Sequence, residues 1–394
     1  MTALSGVRVV ELARILAGPW IGQTLADLGA DVIKVESPDG DDTRRWGPPF
    51  IETEGERAAA YFHCCNRGKR SIVADFTTGE GREIVRRLAA RADVLVENFK
   101  VGGLKKFGLD YESLRELNPR LVYCSVTGFG QTGPYAERAG YDFLIQGMSG
   151  YMDITGEPDG APMKVGVAIS DLFTGLYGVI AIEAALIARA ATGEGQLIDL
   201  SLLDTMGAML ANQAMNFLAS GVPPRRLGNA HPNIAPYQTF PVADGFVIIA
   251  VGNDGQFARL CATLGLDALA ADARFSTNAA RVLNREDLAH AVAAKTCVRT
   301  RGDLLAALEN AVVPAGPINT VADLFADPQF VARGMRIDAE GVPGVRSPIV
   351  MSQSPLSLGR RSPKLGEHEA EILREIGLGQ GVLDGASAPA ANRG

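Results

Sequence analysis

The 394-residue sequence predicts an α/β protein, with a doubly wound parallel sheet in a large domain and a smaller α+β domain beyond it. In the first third, short apolar runs of β type alternate with amphipathic helical stretches, the pattern of strands joined by helical crossovers. Past residue 220 the pattern changes to a hairpin signal followed by helices rich in Ala and Leu. A hydrophobic content of 47% at this length supports a large buried core.

Taken in order, residues 7–12 form an apolar β-run, Ala17-Gly18-Pro19 a turn, residues 20–28 a helix and residues 31–36 the next strand, which is a β-α-β unit. Residues 71–75 read as a strand, 79–91 as a helix with Arg and Glu on its wet face, and 93–97 and 121–126 as further strands. Residues 164–169 read as a short apolar strand running into Asp171, which opens a long apolar helix through residue 191. That helix nearly matches the length of a membrane span, but Glu183 and Arg189 interrupt it, so it is expected to be a core helix.

Residues 198–218 are helix-like until Gly221-Val-Pro-Pro224 breaks the pattern. Two β-runs flank the turn pair Asp244-Gly245, and helices follow to about residue 311. Pro314-Ala-Gly-Pro317 punctuates the end of this region. A β-like stretch after Asp327-Pro328 and a last helix over 367–376 precede an Ala-, Gly- and Ser-rich tail from Gly379 that is expected to be loose. The expected organisation is a large domain over 1–200, a linker helix over 201–226, a small domain over 227–325, and a return segment over 326–394.

Composition excludes several function classes. A formal charge of −7 leaves no basic footprint for nucleic acid. Five cysteines with no C-x-x-C pair, and only four histidines, suggest neither a disulfide framework nor a metal site. No secretion signal is read at the N-terminus, and the expected location is the reduced cytoplasm, without a membrane. Gly128-Phe-Gly-Gln-Thr-Gly133 matches a dinucleotide fingerprint, but Pro134 and Gly140 interrupt the helix that should follow, so it reads as a glycine-rich turn.

Asp171 is the residue placed for chemistry. In the first turn of a helix a carboxylate faces unpaired N–H groups and the positive end of the dipole, which predicts that it stays ionised at neutral pH and can act as a nucleophile. Gly166, Gly175 and Gly178 are expected to leave room for a ligand. The competing reading is that Ser170 or Asp171 simply caps the helix.

Several segments together resemble the class III CoA-transferases over nearly the whole chain: Ala17-Gly-Pro19, Gly29-Ala-Asp-Val-Ile-Lys-Val-Glu36, Asn66-Arg-Gly-Lys-Arg-Ser71, Asp93-Val-Leu-Val-Glu-Asn-Phe99, Asn118-Pro-Arg120, Gly140-Tyr-Asp142, Asp171 and Leu365-Gly-Glu-His368. The resemblance implies that Asp171 is the nucleophile, forming an aspartyl anhydride and then an aspartyl-CoA thioester, with Tyr141 as a hydrogen-bond donor beside it. It also implies that CoA lies against Leu16, Ala17, Ala74, Asp75, Phe76, Asn98 and Phe99, with Lys106 and Arg138 for its phosphates and Arg44 and Arg45 as weaker candidates. CoA thioesters would be substrates, with no permanently bound cofactor and no metal. The chain would be ring-like, in an interlocked homodimer.

Leu16 replaces the glutamine of formyl-CoA transferase, and that enzyme's run of four glycines is missing, so oxalate is a poor acceptor candidate. The Gly228-Asn-Ala-His-Pro-Asn-Ile-Ala-Pro-Tyr-Gln-Thr-Phe240 region, with Gly252-Asn-Asp-Gly-Gln256, is more similar to the succinyl-CoA-dependent dicarboxylate transferases. The rival is an α-methylacyl-CoA racemase, but Tyr141 stands where that branch has histidine, which removes one of two bases.

Overall fold

The computed structural model describes residues 1–53 and 55–378, so the expectation of a loose tail from Gly379 lies outside the described residues. The chain divides into two compact units, one built from residues 1–149, 166–209 and the segment from Val331 on, the other from residues 150–165 and 210–330.

The first unit begins with β1 (Arg8–Glu11), α1 (Ala17–Asp27) and β2 (Asp31–Glu36), followed by the hairpin β3 (Phe50–Thr53) and β4 (Glu56–Ala59), then α2 (Ala60–His63) and β5 (Arg70–Val73). It continues through α3 (Gly79–Ala89), β6 (Val94–Glu97), α4 (Tyr111–Leu117), β7 (Val122–Thr127) and α5 (Asp142–Met148). After α6 (Tyr151–Ile154), which belongs to the second unit, come α7 (Ile169–Thr192), β8 (Leu197–Ser201) and α8 (Leu202–Met209). Six of these strands form one parallel sheet in the order β5-β2-β1-β6-β7-β8.

The sheet is covered on two faces, which is why its central strands are buried along nearly their whole length, charged Glu11 and Glu97 included. Val10, Ile33, Ile72, Leu95 and Tyr123 share a core with α3 and α4. On the other face α1 borders Val96 and packs along α7. Ala17-Gly18-Pro19 is already helical, because proline is tolerated in a first turn that has no N–H partner to lose.

Two further expectations, both flanking α7, need correction. Residues 164–168 are irregular, so no strand leads into Asp171. Residues 198–201, expected to start a helix, instead belong to the edge strand β8 (Leu197–Ser201), and the helix begins only at Leu202. The apolar positions Leu197, Ile198 and Leu200 fit both periods, and no glycine or proline separates strand from helix.

Helix α7 is long and apolar enough to cross a membrane by length and composition. Its Gly175, Gly178, Val179, Ile182 and Ala185 are buried, as expected of a core helix, and Arg189 is buried too, with its guanidinium bonded to Asp93 Oδ1 at 2.8 Å and to the Arg120 carbonyl at 2.9 Å.

The second unit contains α9 (Ala211–Ser220), the hairpin β9 (Tyr237–Val242) and β10 (Gly245–Ala250), and helices α10 (Asp254–Leu264), α11 (Asp267–Ala270), α12 (Asn278–Leu283), α13 (Arg285–Thr296) and α14 (Arg301–Asn310). The strand β11 (Ala315–Pro317) completes an antiparallel sheet in the order β11-β10-β9, and α15 (Val321–Ala326) and α16 (Pro328–Ala332) follow. Val242 pairs with Gly245, so the hairpin turns on Ala243 and Asp244, one residue earlier than the sequence suggests. Phe240, Val247, Ile249, Phe257, Leu260 and Leu288 are among its core residues.

The return segment adds the hairpin β12 (Arg336–Ala339) and β13 (Val342–Val345) and α17 (Glu369–Glu375) to the first unit. Ile372 and Leu373 of α17 enter the core beneath β5, and Arg70 ties that helix down through Glu371 and Glu375.

Candidate active site

A cavity of about 240 Å³ opens at the carboxyl ends of β1, β6 and β7, where ligands of open parallel sheets bind. Ile15, Leu16 and Ala17 enter from the first strand-helix turn, Asn98 and Phe99 from the end of β6, and Arg138 and Tyr141 from the loop before α5. Asp171 of α7 completes it. Seven of the residues singled out from the sequence therefore line one cavity: Leu16, Ala17, Asn98, Phe99, Arg138, Tyr141 and Asp171.

Helix packing sets the position of Asp171. A Cβ on Gly175 would lie 2.9 Å from Trp20 Cδ1, and one on Gly178 would lie 2.4 Å from Ile21 Cδ1. These glycines let α7 sit directly on α1 and do not make room for a ligand; only Gly166 faces open space. The first turns of both helices consequently reach the same cavity.

The electrostatics of Asp171 differ from the expectation. Its carboxyl is half-buried, accepts no hydrogen bond among the described residues, and is pushed up to about 7, first by burial and then by the Asp142 charge. A helix N-terminus favours an ionised carboxylate by only about 0.3–1 kcal/mol, so desolvation and a like charge win. Nor does Asp171 cap its helix. Asp142 does so from α5, with Oδ1 accepting from Ser170 N at 2.9 Å and Ser170 Oγ at 2.8 Å, and Oδ2 accepting from Gln146 Nε2 at 2.8 Å.

Tyr141 is 66% exposed at the N-cap of α5, so its hydroxyl is available to a ligand. Gly140 and Gly128 meet backbone to backbone: a Cβ on Gly140 would lie 2.4 Å from Gly128 Cα. This contact holds the loop after β7 against the Tyr141-Asp142 turn. That loop carries the glycine-rich segment after β7 and starts no helix.

The other CoA candidates do not line the cavity. Phe76 packs edge-on against Phe99 at 5.6 Å and Phe107 at 5.2 Å, with Lys106 Nζ 4.8 Å from the Phe107 ring centroid. Ala74 is in the core, and the Asp75 carboxyl is held low by bonds from the Thr77 hydroxyl and N–H. Arg44 is buried, paired with Glu36 and Glu56 and stacked 3.8 Å over Phe62, so it is committed to the fold and not to a phosphate. Arg45 is exposed and bonds Asp42 and the Asp39 carbonyl.

Sequence reasoning missed Tyr61 and the role of Asp142. The Tyr61 phenol is pushed up by burial first and then by the Asp171 charge, and its ring meets Trp46 edge-on at 5.4 Å. The short helix that carries it has no periodicity to read. Among the described residues no cluster of His, Cys, Asp and Glu could hold a metal ion.

The family model described as "CoA-transferase family III" matches residues 4–369. The chain belongs to CoA-transferase family III and is a CoA-transferase. It is similar to the succinate–glutarate CoA-transferase of Agrobacterium fabrum, 62% identical over 381 residues with 95% of each chain covered. It is also similar to the human succinyl-CoA:glutarate CoA-transferase, at 42% identity over 95% of this chain and 86% of the relative. Among solved structures, a CAIB/BAIF family protein from Brucella suis shares 68% identity and a TM-score of 0.87, covering 95% of this chain and 99% of that one.

Proposed function

We propose that this CoA-transferase moves CoA from succinyl-CoA to glutarate or a similar short dicarboxylate, with Asp171 as the covalent carrier. The observation that carries the reading is an unpartnered carboxyl, pushed up to about 7, in a cavity that also collects the candidate CoA residues. Relatives named for glutarate, mesaconate and D-citramalate support a dicarboxylate acceptor.

In the proposed reaction the Asp171 carboxylate adds to the thioester carbonyl and expels CoA thiolate, leaving a succinyl-aspartyl anhydride. The thiolate attacks the aspartyl carbonyl, which releases succinate and forms the aspartyl-CoA thioester. The acceptor carboxylate attacks that thioester, expelling CoA thiolate and forming a second anhydride. The thiolate then attacks the acceptor's acyl carbonyl, giving the new acyl-CoA and restoring the Asp171 carboxylate. Each addition develops an oxyanion, for which the Ala17 N–H in the first turn of α1 and the Tyr141 hydroxyl are the candidate donors in the cavity wall. Arg138 and Lys106 are assigned to the CoA phosphates, and Leu16, Ala17, Phe76, Asn98 and Phe99, with the Ala74-Asp75 turn, to the pantetheine and nucleotide.

The functional unit in this reading is a cytoplasmic, interlocked homodimer. Exposed Phe143, Leu144 and Met148 of α5 and Ile180 and Ile187 of α7 support it, since surface this apolar marks an interface. Incubation with succinyl-CoA alone is expected to leave an adduct on Asp171, seen by intact mass and lost to hydroxylamine, and glutarate is expected to discharge it as glutaryl-CoA. No adduct on Asp171 in a protein that still exchanges CoA would end the reading.

A further inference from the structure

The turn between β1 and α1 is held at every backbone polar group from the Ala13 carbonyl to the Ile15 carbonyl by side chains from elsewhere in the first unit. Lys34 Nζ donates to the Ala13 carbonyl at 2.9 Å, and the Asn98 amide takes both the Arg14 N–H at 2.9 Å and the Arg14 carbonyl at 2.7 Å. Asp41 accepts from the Ile15 N–H at 3.3 Å, and Cys65 Sγ donates to the Ile15 carbonyl at 3.5 Å. This clamping accompanies a strained backbone: Ile15 sits at φ +72°, a left-handed conformation that a β-branched residue adopts only when its surroundings impose it.

Lys34 and Asp41 join the clamp in a pair with almost no solvent contact, each side chain 1% exposed and Nζ to Oδ2 2.9 Å apart. The remaining Lys34 proton meets Glu11 Oε1 at 3.1 Å, and Asp41 Oδ1 accepts from the Thr43 N–H and hydroxyl at 3.0 and 2.7 Å. Burial works against both charges, yet their partners outweigh it: Asp41 is held down at about 2 and the Lys34 ammonium well above its usual range. A buried ion pair gains little over a well-packed apolar pair, so stability alone does not account for this one. Neither residue lines the cavity, but Ile15, Leu16 and Ala17, the residues they fix, do.

We propose that Lys34 and Asp41 are positioning residues that lock Ile15 in its left-handed conformation and thereby aim Leu16 and the first turn of α1 at the thioester beside Asp171. This rests on the functional reading above. The role is to hold a wall of the acyl-CoA site, and neither side chain touches substrate.

The test is a cycle of Asp41→Asn in two backgrounds, the natural chain and Ile15→Gly, because glycine takes the left-handed conformation without enforcement. Turnover with succinyl-CoA and glutarate is measured alongside CoA affinity by calorimetry. Asp41→Asn is expected to lower kcat/KM about tenfold or more, and to weaken CoA binding, in the natural background. In the Ile15→Gly background the same change is expected to cost less than about threefold. Equal losses in the two backgrounds, or no loss in either, would overturn the proposal, since a merely structural pair would matter alike in both.

If Asp41→Asn does not fold, Lys34→Met/Asp41→Asn takes its place, because it strands no buried charge on either partner. Should that variant fold only with Ile15→Gly, the proposal stands; failure in both backgrounds refutes it. If the natural enzyme binds CoA but does not transfer it between these acids, the functional reading fails, and the calorimetric arm alone decides the positioning role.

Discussion

Asp142 and Asp171 occupy the first turns of two packed helices, and the structure treats them in opposite ways. Asp142 accepts three hydrogen bonds, two from Ser170 and one from Gln146, while Asp171 accepts none among the described residues. One carboxylate is thereby tied into the framework and the other left bare, with its proton held to about pH 7 by burial and by its tied neighbour. A helix N-terminus does not by itself make a nucleophile. What distinguishes Asp171 is the absence of donors that would stabilise its charge at rest; under the proposed mechanism, stabilisation is then left for the oxyanions that form during the reaction.

The sharpest way to break this contrast is to amide each carboxylate in turn. Asp171→Asn is expected to lower kcat by about a thousandfold or more, because an amide cannot form the anhydride. If Asp142→Asn were equally damaging under the same succinyl-CoA exchange assay, the two residues would have to share the chemistry. The next largest effect is expected at the turn that carries Tyr141. Gly140→Ala drives a Cβ into the Gly128 backbone, and a loss of about 2 kcal/mol or more in chemical denaturation, with weakened CoA binding, is expected. An unchanged denaturation midpoint would show that the two loops can part without consequence.

The uneven legibility of this site has physical causes. β1, β2, β6 and β7 are readable because a sheet covered on both faces demands consecutive apolar residues, as in Val94-Leu-Val96. β8 is not, because Leu197-Ile-Asp-Leu-Ser201 is an edge strand fused to a helix without a breaker. Asp171 is recognisable from its place at the head of a long apolar helix, but its bareness is not. That property depends on Asp142 arriving from another helix to take the Ser170 N–H, and on the fit of Gly175 and Gly178 against Trp20 and Ile21. Tyr61 lies on a four-residue helix too short to carry a pattern. Asn98 shows a further limit: it lines the cavity, and its amide also holds the Arg14 backbone, a structural role that its position in the sequence does not reveal.

A smaller effect should sharpen the comparison through pH. In the proposed reaction Asp171 attacks as a carboxylate, so activity is expected to rise with pH through about 7 and to fall below it. Asp142→Asn removes the like charge while keeping an oxygen to accept from Ser170. Its kcat is expected to drop only about tenfold, and the acid limb of its pH–rate profile should move to lower pH. A limb that stays in place would mean that burial alone sets the Asp171 proton affinity.

The smallest expected effect is on stability, and its sign separates the two carboxylates. Because the folded-state pKa of Asp171 lies above its unfolded value of 3.8, its contribution is fully present below about pH 4 and is lost as pH rises through 7. At pH 8 the fold therefore carries a bare, half-buried charge that Asp171→Asn removes. That variant is expected to be more stable than the natural chain by on the order of 1 kcal/mol at pH 8, after discounting for partial exposure, with the advantage vanishing toward pH 4. Asp142→Asn should be destabilised at pH 8, since it weakens the bonds that cap α7. Urea midpoints for both variants at the two pH values would decide: a nucleophile kept reactive at the expense of the fold gives opposite signs, whereas two ordinary helix-terminal carboxylates would both lose stability when neutralised.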